Sequence, residues 1–260
     1  MRWADVAEAL AECDPAAKCR RVDSLWSGVS AQAIERDHTQ PPPAGRPDRP
    51  GLVSPASLPR RGLGTVSGRI ALLHAVAHIE FNAINLALDA AVRFNGMPHD
   101  FYRDWLSVAF DEARHFRLLA ARLDELGAAY GDLPAHNGLW EMAEKTAHDP
   151  LVRMALVPRV LEARGLDVTP GMIEKLRGAG DDQSVACLEI ILEEEVRHVA
   201  IGSRWFRHLC AERGLAPEST FQSLLHEHYA GGLRGPFNHP ARLAAGFTES
   251  ELAELEASGV

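Results

Sequence analysis

A five-residue pattern, acid-Glu-x-Arg-His, occurs twice in this 260-residue chain: as Asp111-Glu112-Ala113-Arg114-His115, and 83 residues later as Glu194-Glu195-Val196-Arg197-His198. On a helix, residues i and i+3 are neighbours on one face, so each copy presents a carboxylate and an imidazole to a common point. Helices packed side by side are the folds in which two such corners can meet. Composition alone does not account for the repeat. With 21 Glu and 12 His, random placement gives about one Glu-x-x-His, and the longer pattern is far rarer. A third Glu-x-x-His, Glu35/His38, has no partner of its kind and reads as the chance match.

The rest of the chain agrees with helices. Apolar residues recur at three- and four-residue spacing from Ser67, read as the N-cap, to about Phe94, and Asn95-Gly96-Met97-Pro98 ends the run. A second helix spans roughly 100–126 and stops at Gly127. A third occupies about 138–164, with an N-terminal turn at Pro150 and a kink at Pro158. A short helix after Thr169 leads to Gly178-Ala179-Gly180, and a long one covers 181–212. Further helices are expected at 3–13, 217–229 and 249–257. Seven of the 16 prolines lie between Pro41 and Pro59, where a missing N–H and fixed φ exclude helix interior and central strand, so that stretch should be extended. No alternating strand pattern with hairpin turns occurs, and the fold class read from the sequence is all-α. The organisation expected is a leader over 1–66, a four-helix bundle over 67–212 and a C-terminal extension over 213–260.

Each repeated corner offers one oxygen and one nitrogen to a metal. A carboxylate-bridged two-metal bundle needs one more Glu from each of two other helices. Glu80 and Glu162 are the candidates, because Glu80 precedes Glu112 by 32 residues and Glu162 precedes Glu195 by 33. Ligands on a helical hairpin meet when they are equally far from its turn. Glu80 and Glu112 average to Gly96, in a turn; Glu162 and Glu195 average to the Gly178-Ala179-Gly180 break, although Gly165 and Pro170 interrupt the path to it. Four ionised Glu at one site repel, and two divalent cations would cancel their charge. Carboxylate plus imidazole without cysteine suits Fe or Mn ahead of a closed structural Zn. The plainer alternative is interhelical ion pairing to Arg114 and Arg197. Asp111 and Glu194 are candidate acceptors for the imidazoles of His198 and His115, respectively.

Other groups are read more plainly. His74/His78 are core or surface histidines, Glu144/His148 a helix-surface pair, and Trp105 and Phe116 core filler on the face of Glu112. The stretches His226-Glu227-His228 and Phe237-Asn238-His239-Pro240 are read as capping the bundle. Cys13, Cys19, Cys187 and Cys210 lack C-x-x-C spacing and are expected to be reduced thiols. No apolar run was found that approaches the ~18 residues of a membrane span, and Asp5 and Glu8 interrupt any signal-peptide stretch; a cytoplasmic protein is expected. A net charge of −9 argues against a broad nucleic-acid surface, although residues 15–61 carry eight basic and four acidic side chains.

The set Glu80, Glu112/His115, Glu162 and Glu195/His198 resembles the ferritin-like di-iron carboxylate superfamily over residues 67–212. More narrowly, the run Leu-Leu-His-Ala-Val-Ala-His-Ile-Glu ending at Glu80, the Asp-Glu-Ala-Arg-His motif and Leu-Glu-Ala-Arg-Gly-Leu-Asp at 161–167 are similar to an uncharacterised bacterial ferritin-like family known as a domain of unknown function. That similarity extends through the Pro-rich leader and the Gly-Pro-Phe-Asn tail. The resemblance implies a four-helix bundle holding two Fe ions, or Mn. It also implies an oxidase or hydroxylase that uses O2 or peroxide on a small organic molecule. Alternatives are an iron-handling ferroxidase or storage protein and a non-catalytic helical scaffold. A homodimer is compatible with each.

Overall fold

The computed structural model describes residues 2–29, 40–58, 62–229 and 233–258. Glu35 and His38 lie outside them. Among the described residues there are eleven α-helices, a π-helical segment, one 3-10 turn and no strand, so the chain is all-α. In chain order the helices are α1 (Trp3–Ala11), α2 (Pro15–Ser27), α3 (Val66–Arg93), α4 (His99–Glu125), α5 (Gly138–Lys145), α6 (Pro150–Leu156), the π segment (Val157–Glu162), α7 (Ala163–Gly178), α8 (Asp182–Glu212), α9 (Pro217–His228), α10 (His239–Ala244) and α11 (Glu249–Ser258). They divide into two compact units: residues 1–141 with 175–187, and residues 142–174 with 188–260.

The first unit is built on the hairpin of α3 and α4. Its turn holds Gly96 at φ 88°, a conformation that favours glycine. Thr65, not Ser67, caps α3, accepting from Gly68 N at 3.1 Å. The cap moves because the helix begins at Val66, where Gly68 lies hard against the carbonyl of Gly62 and leaves no room for a side chain. From Glu80 to Val92 every residue of α3 is buried. By length and composition α3 is apolar enough to cross a membrane, which corrects the expectation that no such stretch exists; 67% of the stretch is buried inside the protein. Burial on all sides removes the need for a polar face, and this accounts for the composition.

The leader packs onto this hairpin. Asp14 caps α2 through Ala17 N at 2.7 Å with Pro15 in the first turn, a helix the sequence reading missed. Trp3 Nε1 donates to Val92 O at 3.0 Å. Fully buried Lys18 donates from Nζ to Asn85 Oδ1 (2.6 Å), Leu10 O (2.7 Å) and Ala9 O (3.2 Å), and burial pulls its amine down to about 7. The extended Pro-rich stretch is held by backbone bonds: Gly45 N donates to Leu10 O, Val53 N to Ala135 O, and Ala135 N to Gly51 O.

The second unit contains the larger departures from expectation. The helix expected over 138–164 is broken between Lys145 and Pro150, where Asp149 caps α6 by accepting from Leu151 N at 2.7 Å. Glu144 and His148 are therefore not one turn apart on a helix; His148 Nδ1 instead pairs with Lys145 O at 3.1 Å. Pro158 produces a π turn rather than a simple kink, and this runs directly into α7. Gly165 and Pro170, read as breaks, both lie inside α7. Pro170 has no N–H for the carbonyl of Leu166 one turn back. Asn238 Nδ2 donates to that carbonyl at 3.0 Å and takes the missing partner's place. The same Asn238 caps α10, accepting from Ala241 N at 3.3 Å.

Gly202 on α8 faces Pro158 so closely that any Cβ would collide with the proline ring. Gly202→Ala should therefore destabilise the chain by about 1–3 kcal/mol through overpacking. Denaturant unfolding checks this, and an unchanged midpoint would count against the close approach.

Candidate metal centre

The hairpin of the first unit sets Glu80 and Glu112 at equal distance from Gly96, and one turn of α4 carries His115 next to Glu112. His115 Nδ1 lies 3.1 Å from Glu80 Oε2 and 3.4 Å from Glu112 Oε2. All three side chains are buried. The shared position is held by the imidazole proton, because carboxylates only accept. A proton thus occupies the position between the carboxylates that a cation would take.

Electrostatics follow from that geometry. Burial and the neighbouring Glu112 push the Glu80 carboxyl well above the usual carboxylate range, and His115 only partly offsets this. Burial by itself would lower His115, but its bonds and charge interactions with Glu112 and Glu80 outweigh it and raise the imidazole strongly. The aromatic wall beside the site is Phe81, Phe116 and Tyr130, with ring centroids 5.5 Å (Phe81–Phe116) and 5.0 Å (Phe116–Tyr130) apart. Phe116 is packed as expected, and Trp105 is core against Phe101.

His74 and His78 form a neighbouring polar network that the sequence left without partners. His74 Nε2 accepts from Gly131 N at 2.9 Å, and His78 pairs with Tyr130 Oη at 2.9 Å and Asn82 Nδ2 at 3.0 Å. Burial holds His78 down to about 4, so it is neutral at pH 7 and serves the packing of α3. Asp111 lies 3.8 Å from Arg114 on its own helix.

In the second unit, the other copy of the motif builds the same corner. His198 Nδ1 lies 3.3 Å from Glu195 Oε1; His198 is fully buried, and the Glu195 side chain keeps 12% of its surface. Glu162 is the last residue of the π segment and is buried. Glu80, Glu112, His115 and Glu195 make up a group that could hold a metal ion, four of the six ligands expected from the sequence. Glu162 and His198 are not members of that group, nor are Asp111 and Glu194. Three carboxylates and one neutral imidazole are a donor set that fits a hard or borderline divalent cation.

In the metal-free chain, Glu80 moves from 4.5 to about 8 and His115 from 6.5 to about 11. Both folded values lie above the unfolded ones, so the folded state binds more protons across these windows. Stability should therefore fall as pH rises from 4.5 through about 11. Thermal unfolding of metal-free protein at several pH values tests this, with Glu80→Gln expected to flatten the lower part of the profile; equal slopes in the two proteins would refute the assignment.

Comparison with known proteins places this geometry in a family. A Haemophilus influenzae protein whose printed name is "Uncharacterized protein" is 46% identical over 268 residues, covering 96% of this chain and 92% of the relative. No solved structure matches the chain. The family described as "Protein of unknown function (DUF455)" matches residues 11–253, and the chain belongs to it.

Proposed function

We propose that this chain is a two-metal carboxylate oxidoreductase on a ferritin-like four-helix bundle. In this reading residues 67–212 are the bundle, with 1–66 and 213–260 packed around it. The six ligands are Glu80, Glu112, His115, Glu162, Glu195 and His198. Asp111 and Glu194 act as hydrogen-bond acceptors behind the imidazoles. The observation that carries the reading is the buried donor group itself: the His115 imidazole lies within hydrogen-bond reach of both Glu80 and Glu112, in a group of carboxylates and imidazole that could hold a metal ion. Acids buried for stability alone are poorly placed without a cation, since desolvation costs several kcal/mol per ion. The π segment ending at Glu162 adds support, because such turns are rare and concentrate at functional sites.

Two bound Fe ions, or Mn, would supply redox chemistry with O2 or peroxide toward a small organic substrate. The chain's own residues have simpler tasks. His115 and His198 give up the proton at the coordinating nitrogen on loading, so metal uptake should release protons. Glu80 and Glu112 hold the ion at the height fixed by the hairpin. Phe81, Phe116 and Leu119 are buried around the α3–α4 seam and keep bulk water away. The acidic balance of the chain favours a small neutral or cationic substrate over a nucleic acid.

The test is anaerobic loading with Fe(II), with metal counted per chain and the optical spectrum followed as O2 is admitted. The expected result is about two irons per chain, an oxygen-dependent absorption, and loss of both in Glu112→Ala and Glu195→Ala. Rapid Fe(II) oxidation that no organic substrate alters would favour an iron-handling role. Failure to bind Fe or Mn would leave a helical scaffold and end the oxidoreductase reading.

A further inference from the structure

The helix that carries Glu162 is unusually imperfect. Pro158 lies in its π turn and Pro170 in its interior, with Glu162 between them. A π turn and an internal proline each weaken the local backbone ladder and would let a nearby side chain wander. Both defects are held by one part of the chain. Arg159 Nη2 donates to Glu251 Oε1 at 2.6 Å, with both side chains at most 3% exposed, and the guanidinium lies 4.1 to 4.8 Å from the ring centroids of Phe206, Phe221 and Phe247. Glu251 is oriented in turn by Thr248 N, which donates to its Oε2 at 3.0 Å. Asp167 accepts from Arg242 Nε at 2.9 Å and Nη2 at 2.7 Å, and from Asn238 N at 2.9 Å. Asn238 also supplies the donor that Pro170 lacks.

We propose that the C-terminal segment 238–251 is the positioning element for Glu162, clamping the π turn from Arg159 on one side and Asp167 on the other. This rests on the reading of Glu162 as a metal ligand. Replacing a buried ion pair by apolar residues of similar size is often neutral or stabilising, so two such pairs flanking one carboxylate are not explained by stability. What a bonded pair adds over an apolar one is direction: it fixes where the π turn stands and which way residue 162 points. Arg159, Asp167, Asn238, Arg242 and Glu251 are positioning residues in this scheme and touch no metal.

The experiment uses the full chain, titrated anaerobically with Co(II) as the probe while its visible spectrum and its denaturant midpoint are recorded. The variants are Glu251→Gln and the double substitution Arg159→Met with Glu251→Met. The double variant should unfold at or above the original midpoint yet bind Co(II) at least about tenfold more weakly, with an altered spectrum, as loss of outer hydrogen-bond partners does elsewhere. A folded variant with unchanged affinity and spectrum would overturn the proposal. Should the double variant not fold, Asn238→Ala, which removes both the Leu166 bond and the α10 cap, gives the same readout. An unsubstituted chain that takes up no Co(II) would instead overturn the ligand reading, a result separable from the first because it needs no variant.

Discussion

Everything in the first unit is arranged around the cost of burying carboxylates. Glu80 and Glu112 are removed from water on facing helices, and His115 reaches both. Their mutual repulsion and desolvation raise the Glu80 carboxyl and draw a proton onto the imidazole. The helices cannot separate to relieve this, because α3 is buried on every side from Glu80 onward. A group that could hold a metal ion is therefore built into a helix that is buried from Glu80 to Val92.

The leader is part of that confinement. Lys18 satisfies Asn85 on the buried helix, and Trp3 reaches a carbonyl near its end. Asp89, one turn beyond Asn85, is held by Arg93 at 2.7 Å. Each polar residue on α3 thus has a dedicated partner, as a fully wrapped helix requires. These partners come from the leader and from α3 itself.

Much of this is legible in the sequence. The helix boundaries of α3, α4, α8 and α9 follow from periodicity and from Gly and Pro punctuation, and the Glu80–Glu112 pairing follows from equal distance to Gly96. What escaped is informative in kind. Helix α2 was hidden because Lys18 and Cys19, both buried, do not read as an apolar stripe. Pro170 reads as a break because local rules assume that a lost backbone bond stays lost. Tertiary partners restored it: Asn238, 68 residues beyond Pro170, lies outside any window that a periodicity scan can use. The buried pairs Arg159–Glu251 and Asp167–Arg242 were invisible for the same reason.

The contrast between the two copies of the motif has a physical origin. In the first copy the partner carboxylate sits on a regular helix, and counting residues from the turn locates it. In the second, Glu162, the partner expected from the sequence, is the last residue of a π turn. A π turn takes up more residues per revolution than an α turn, so residues beyond it are rotated relative to an unbroken helix and a simple count no longer fixes their direction. That geometry is stable only if something outside the helix bears the cost. The aromatic box around Arg159 and the doubly bonded Asp167 are the structures in the second unit with the burial and directionality to do so. The chain carries helices α9 to α11, which supply Asn238, Arg242 and Glu251, after the second copy of the motif.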